Sequence, residues 1–390
     1  MNKTVSTEII SADNKKSILN INIRDYTMII ALVFIWIVLT VLTDGFFIGS
    51  RNLSNLMRSI SVTSALSLGI FLIIVAGHID FSTGSVCGFI GAIAAILNVW
   101  LGWGTFTSIV VALFLGMVIG FAQGYLVAYQ KVPAFIVTLG GLMIFRGLLV
   151  GVTRGITVAP LSASFVAIGQ NYVLPVIGWI IAGVAVSAIW VLELRTRSTR
   201  LKYGFSVSSF KIVVAKSILY SGIVLLFVAI MNNYRGIPLP VFIIMLIALS
   251  LAFVACRTQF GRYVFALGGN IDAARLSGIN VELTTMVLFV VGGFMSGVGG
   301  IILTSRLNAA TTDAGNMYEF DAIAACIIGG TSIKGGAGTV IGVIVGALVM
   351  ASLDNGMSLL NTNTFWQHVV KGVILIAAVW FDINAKNKKI

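Results

Sequence analysis

Charge is what this sequence has least of. Asp, Glu, Lys and Arg supply 10% of its 390 residues, against roughly 25% in an ordinary soluble domain. A water-facing surface cannot be covered at that density, so a soluble globular fold is excluded. Acidic residues are the scarcer sign, 13 against 25 basic. Histidine occurs only at His78 and His368, too isolated for a metal site. Cysteine occurs only at Cys87, Cys256 and Cys326, with neither a disulfide framework nor zinc spacing. No G-x-x-x-x-G-K-[ST] phosphate loop occurs: Gly329–Gly336 contains Lys334, but neither Lys-Ser nor Lys-Thr follows its glycines. GxSxG and HExxH are missing too. The chain therefore has no catalytic cluster, calls for no cofactor, and has no engine of its own. Uphill movement of a solute would draw energy from another subunit.

What remains is apolar. Hydrophobic residues make up 58% of the chain and the mean hydropathy is +1.04, so the lipid bilayer is its solvent. Apolar windows lie at 26–43, 60–77, 84–103, 106–128, 133–152 and 172–192. Six more lie at 217–232, 238–255, 283–304, 320–331, 338–353 and 365–381. A helical span needs about 20 residues, and the pattern predicts an all-α polytopic membrane protein with about 10–12 transmembrane helices. The N-terminus is too polar for a cleavable signal peptide.

The formal charge of +12 invites a nucleic-acid partner, but its distribution points elsewhere. Lys3, Lys15, Lys16 and Arg24 crowd the N-terminus, and Arg195, Arg197, Arg200, Lys202, Lys211 and Lys216 fall in 193–216. Arg257, Arg262 and Arg275 fall in 256–282, and Lys386, Lys388 and Lys389 in the tail. These hold 16 of the 25 basic residues. The positive-inside rule puts all four segments in the cytoplasm, with no call for nucleic acid. The expected organisation is a tail at 1–25, a membrane half at 26–192, a basic cytoplasmic loop at 193–216, a second half at 217–381 containing a cytoplasmic loop at 256–282, and a tail at 382–390. Both termini are then cytoplasmic.

Two junctions interrupt the windows, Gly77–Ser85 and Gly329–Gly336. Both mix glycine with hydroxyl residues. Non-helical backbone at membrane depth must be buried in protein or line a cavity, and broken helices in both halves of a chain mark transport pathways. Two broken or re-entrant helices are expected here, exposed loops with tight turns being the alternative. Asp80, Ser82, Thr83 and Ser85 in the first junction, with Thr331 and Ser332 in the second, offer hydroxyl and carboxylate chemistry suited to a polyol. Asp80 can equally cap the helix that starts near Ser82. An ionisable group at the bilayer centre costs about 2.5–3.5 kcal/mol, which singles out Arg146, Glu319 and Asp321 as well. Arg146 either pairs with a carboxylate or snorkels. Glycines spaced by four, at 116, 120 and 124, at 338, 342 and 346, and at 293 and 297, predict close helix packing.

Residues 256–282 suit docking to a partner. Asn270 is placed to cap a short helix ending near Gly278, which either plugs a groove on that partner or is an ordinary surface helix.

Taken together, Ile79–Ser85, Val132–Gly140, Thr258–Gly278 and Asp321–Gly336 resemble the permease subunits of the ribose/xylose/galactose class of ABC importers, over essentially the whole chain. Asn233–Pro238, Met350–Ser358 and Thr364–Gln367 are most similar to the D-xylose branch, as is the basic insert at 193–216. Phe81 and Thr83 stand where relatives usually have Leu and Val. The resemblance implies a bacterial plasma (inner) membrane protein that translocates a monosaccharide. It implies a second permease copy, a cytoplasmic ABC ATPase subunit and an extracytoplasmic sugar-binding protein as partners. It also implies ATPase coupling through Gly269, Asn270, Ala273, Ala274, Ser277 and Gly278. A carrier or channel acting alone leaves that loop without a purpose, and a membrane-embedded enzyme lacks its catalytic cluster.

Overall fold

The computed structural model describes residues 23–387 apart from 206 and 208. The basic residues Lys3, Lys15, Lys16, Lys388 and Lys389 lie outside the described residues. Fifteen α-helices account for most of the rest: α1 (Ile23–Leu42), α2 (Ser50–Val75), α3 (Thr83–Val99), α4 (Thr105–Ala128), α5 (Ala134–Val152), α6 (Ala163–Gln170), α7 (Pro175–Lys202) and α8 (Phe210–Asn232). They continue with α9 (Leu239–Arg257), α10 (Gln259–Gly269), α11 (Ile271–Leu276), α12 (Val281–Leu307), α13 (Tyr318–Ile328), α14 (Val340–Leu359) and α15 (Thr364–Asn387). The strands are β1 (Tyr172–Val173) and β2 (Ile237–Pro238), paired antiparallel.

Each apolar window has become a helix. Eight are long and apolar enough to cross a membrane, and α1, α3 and α15 contain shorter apolar stretches. The protein is thus an all-α, multi-pass membrane protein. Helix α13, of 11 residues, rises only about 16 Å and falls short of a bilayer core of about 30 Å.

Burial sorts the helices into an inner and an outer set. The apolar windows of α2, α12 and α14 are 83%, 72% and 61% buried, while those of α4, α5, α7, α8 and α9 are only 11–28% buried. The inner helices bury residues on every side because protein surrounds them. The outer ones expose Phe114, Met143, Ile180 and Phe253, among others, as a lipid-facing surface does. Helix α12 is the hub. Its contact with α4 is the most extensive helix pair, followed by its contacts with α2 and α3.

The glycine spacing explains that closeness. A methyl group at Gly293 of α12 would strike the Gly116 carbonyl of α4, and one at Gly120 would strike that of Phe289. Gly342 and Gly346 of α14 lie equally close to the backbone of Gly329 and Ala325. Gly338 does not join this stripe, because α14 begins only at Val340.

Some expected boundaries need correction. Helix α2 starts ten residues before the apolar window, since Arg51, Asn52, Asn55 and Arg58 are polar yet helical. The segment 193–216 is mostly helix: α7 runs to Lys202 and α8 starts at Phe210, leaving 203–209 as the connection. Helices α6 and α10 were not anticipated.

Candidate functional site

The two junctions meet. The first, residues 76–82, links α2 to α3, which leaves α2 to pack on α12, α5 and α4. The second, 329–339, closes a hairpin of α13 and α14. The Gly336 amide donates to the Val75 carbonyl at 2.8 Å, and Gly268 of α10 lies against the same crossing. A side chain at Gly268 would strike both the Val75 carbonyl and the Gly336 amide. Three chain segments share one point there, at a spacing only glycine allows.

In the first junction Asp80 Oδ1 accepts from the Ser82 amide and hydroxyl, both at 2.7 Å, and Oδ2 accepts from Thr83 Oγ at 3.0 Å. Both carboxylate oxygens are thus turned into the first turn of α3, where a negative charge is favoured. Ser82 Oγ also accepts from Gln123 Nε2 at 2.9 Å, so α4 is pinned to this turn. Asp80, Ser82, Thr83 and Ser85 are buried, and Ser85 Oγ has no hydrogen-bond partner among the described residues.

The start of α13 approaches the same helix: Gly84 packs against Gly315 and Glu319. Arg146 of α5 donates to the Ala314 carbonyl at 3.1 Å and to Asn316 Oδ1 at 3.4 Å. Its guanidinium braces the irregular segment 308–317 that leads into α13. Thr331 and Ser332 are buried in the second junction, Thr331 beside Gly338 with its hydroxyl unpaired among the described residues. The six junction residues singled out from sequence therefore form two groups, one at the start of α3 and one between α13 and α14.

A third group was read from sequence only in part: Asp321 was singled out, Lys371 and Asp354 were not. Lys371 Nζ of α15 lies 2.8 Å from Asp321 Oδ2 of α13 and 2.9 Å from Asp354 Oδ1 of α14. The first contact is also an aligned hydrogen bond, whereas the second is an ion pair by distance alone, leaving Asp354 Oδ1 without one. The signal was a lysine inside the apolar window 365–381.

At the far end of α12, three asparagine and threonine caps build an elbow. Thr258 Oγ accepts from the Gly261 amide at α10, Asn270 Oδ1 from Ala273 at α11, and Asn280 Oδ1 from Leu283 at α12. Gly278 has φ +82°, a left-handed turn that glycine adopts without strain. Gly269, Asn270, Ala273, Ser277 and Gly278 are exposed. Ala274 is not: it is buried with Leu267 and Val281 in a small apolar cluster. Leu276 takes the outward place, 90% exposed. Glu282 receives Lys131 at 2.7 Å and Arg275 at 3.4 Å, fastening the elbow to the α4–α5 turn. A cavity of about 450 Å³, lined by His78, Phe135, Ile271 and Arg275 among others, connects the elbow with the first junction.

Residues 52–379 match the family described as branched-chain amino acid transport system / permease component. The xylose transport system permease protein XylH of Escherichia coli K12 is 46% identical over 369 residues, covering 95% of this chain and 94% of the relative. XylH of Haemophilus influenzae is 45% identical, covering 95% and 98%. The ribose import permease protein RbsC of Escherichia coli K12 is 31% identical over 361 residues, covering 93% of each chain. No solved structure matches. With a helical body built for lipid, a family match over residues 52–379 and permease relatives aligned over more than nine-tenths of its length, the chain belongs to this family of transport-system permease components.

Proposed function

We propose that this chain is the membrane-spanning permease subunit of an ABC importer that carries D-xylose across the bacterial inner membrane. The observation that carries the sugar assignment is the full-length identity of 46% to a xylose permease, against 31% to a ribose permease. An extracytoplasmic binding protein delivers the sugar, a separate ATPase subunit supplies the energy, and a second copy of the chain completes the pore. The α10–α11 elbow is the coupling element. Gly269, Asn270, Ala273, Ser277 and Gly278 form its outer face, with Leu276 as the apolar tip and Ala274 as the support behind it. The Gly268–Val75–Gly336 crossing then links the docking face to both junctions, where Asp80, Ser82, Thr83, Ser85, Thr331 and Ser332 hold the polar groups of the transport path.

The test is uptake of labelled D-xylose, D-ribose and leucine by the intact complex. Saturable, ATP-dependent import of D-xylose in preference to the other two is expected. Import of leucine alone would move the assignment to amino acids, as the family's description suggests.

A further inference from the structure

A cavity of about 210 Å³ lies between α2, α12, α13 and α14, lined by Ser59, Thr63, Arg306, Tyr318, Asp354 and Asn355, with Ala351 and Ser358 completing it. It is unlike the rest of this apolar chain. Arg306, one residue from the end of α12, makes no side-chain hydrogen bond or ion pair among the described residues; only its carbonyl is engaged, by Gln170. Asp354 offers an acceptor from α14, held in place by Lys371 at 2.9 Å. Asn355 is fixed by a reciprocal amide pair with Asn52, at 2.8 and 3.0 Å, which presents its remaining capacity in a set orientation. Tyr318 supplies an aromatic ring, and Ser59 and Thr63 supply hydroxyls.

We infer that this cavity is a binding site for a neutral pentose on the import route, an inference that rests on the sugar-import reading above. A pentose has hydroxyls that each donate and accept, and C–H faces that pack on a ring. The lining answers with a guanidinium donor, a carboxylate acceptor, an amide, hydroxyls and one tyrosine ring. At about 210 Å³ the space is far larger than a single water requires, on the scale of one monosaccharide. A branched aliphatic side chain finds no counterpart, because Ala351 is the only aliphatic residue in the lining. Arg306 and Asp354 are the charged residues of the lining and offset each other, so it favours no net charge on the ligand.

Position supports the assignment. Helix α12, of 27 residues, separates the cavity from the α10–α11 elbow by about 40 Å. If the elbow meets the ATPase, the cavity occupies the opposite half, where a sugar released by a binding protein first enters the membrane. Ser358 at its rim is exposed while Thr63 is buried, the gradient expected of a site filled from that side.

The experiment uses the whole complex in cells, in a background where the exposed native Cys256 is serine. Thr63→Cys and Ser358→Cys are reacted from outside with a small thiol reagent, with Arg235→Cys on the exposed α8–α9 turn as control. D-xylose should slow labelling at both cavity positions about tenfold once it is roughly ten times above its dissociation constant, and leave the control unchanged. Thr63→Phe, which fills the cavity, should abolish xylose uptake while the ATPase still co-purifies. If the complex imports xylose but the sugar protects neither cysteine, and Thr63→Phe transports normally, the cavity is not a sugar site. If the complex imports no pentose, the import reading fails first, and protection by leucine instead would overturn the pentose assignment.

Discussion

Lys371 and Asp321 stand 2.8 Å apart although fifty residues separate them in sequence. The ammonium of α15 thereby fixes the start of α13, a helix of only 11 residues, and Asp354 completes the bracket from α14. Removing the lysine leaves two carboxylates facing each other in a largely buried place. Breaking one side of a buried pair costs about 3–5 kcal/mol. Lys371→Met should therefore lower the thermal stability of the detergent-solubilised protein by that order. Adding Asp321→Asn and Asp354→Asn should recover much of the loss. A melting temperature equal to the parent in Lys371→Met would show that the bracket contributes nothing.

The elbow gives a paired comparison. Leu276 is exposed and Ala274, two residues earlier in the same short helix, is buried, so aspartate should act differently at each. Leu276→Asp should keep normal membrane levels but weaken co-purification of the ATPase and reduce uptake. Ala274→Asp buries a carboxylate without a partner and should lower the amount of folded protein. Normal ATPase retention and transport in Leu276→Asp would remove the docking role from α11.

Gly268→Ala tests the crossing. A methyl group there collides with the Val75 carbonyl and the Gly336 amide, so the hydrogen bond between them must stretch or break, at a cost of about 1 kcal/mol or more. Reduced uptake with the ATPase still bound is expected, because docking and the junctions would be uncoupled. Wild-type uptake would make this a packing detail.

Topology follows from charge. Reporter fusions at residue 205 and at the C-terminus should both read cytoplasm, since the basic ends of α7 and α8 flank the first site. An extracytoplasmic signal at either would reverse the assignment of the elbow.

The helices were legible because lipid demands long apolar windows, and each window became one. What hydropathy hid were polar stretches satisfied by protein. The first turns of α2 carry Asn52, which pairs with Asn355, and Arg58, which donates to the Gln170 carbonyl; averaged over a window they read as loop. The capping role of Asp80 was legible from its spacing to Ser82 and Thr83. The Lys371 bracket was not, because its partners arrive from two other helices. Nor does a six-residue helix reveal from sequence which alanine faces inward, so Ala273 and Ala274 looked alike until the cluster with Leu267 and Val281 separated them.

The burial of α2 also sets an order of events during synthesis. Its residues 60–75 are all enclosed or nearly so in the finished protein, yet α12, which covers much of it, is translated some 200 residues later. The newborn helix must first reside in lipid or beside the insertion machinery. Two of its buried hydroxyls are prepared for that wait: Ser61 donates to the Met57 carbonyl and Ser67 to that of Thr63, within the same helix. Such self-contained bonds ask nothing of a neighbour, so α2 can be threaded early and enclosed late.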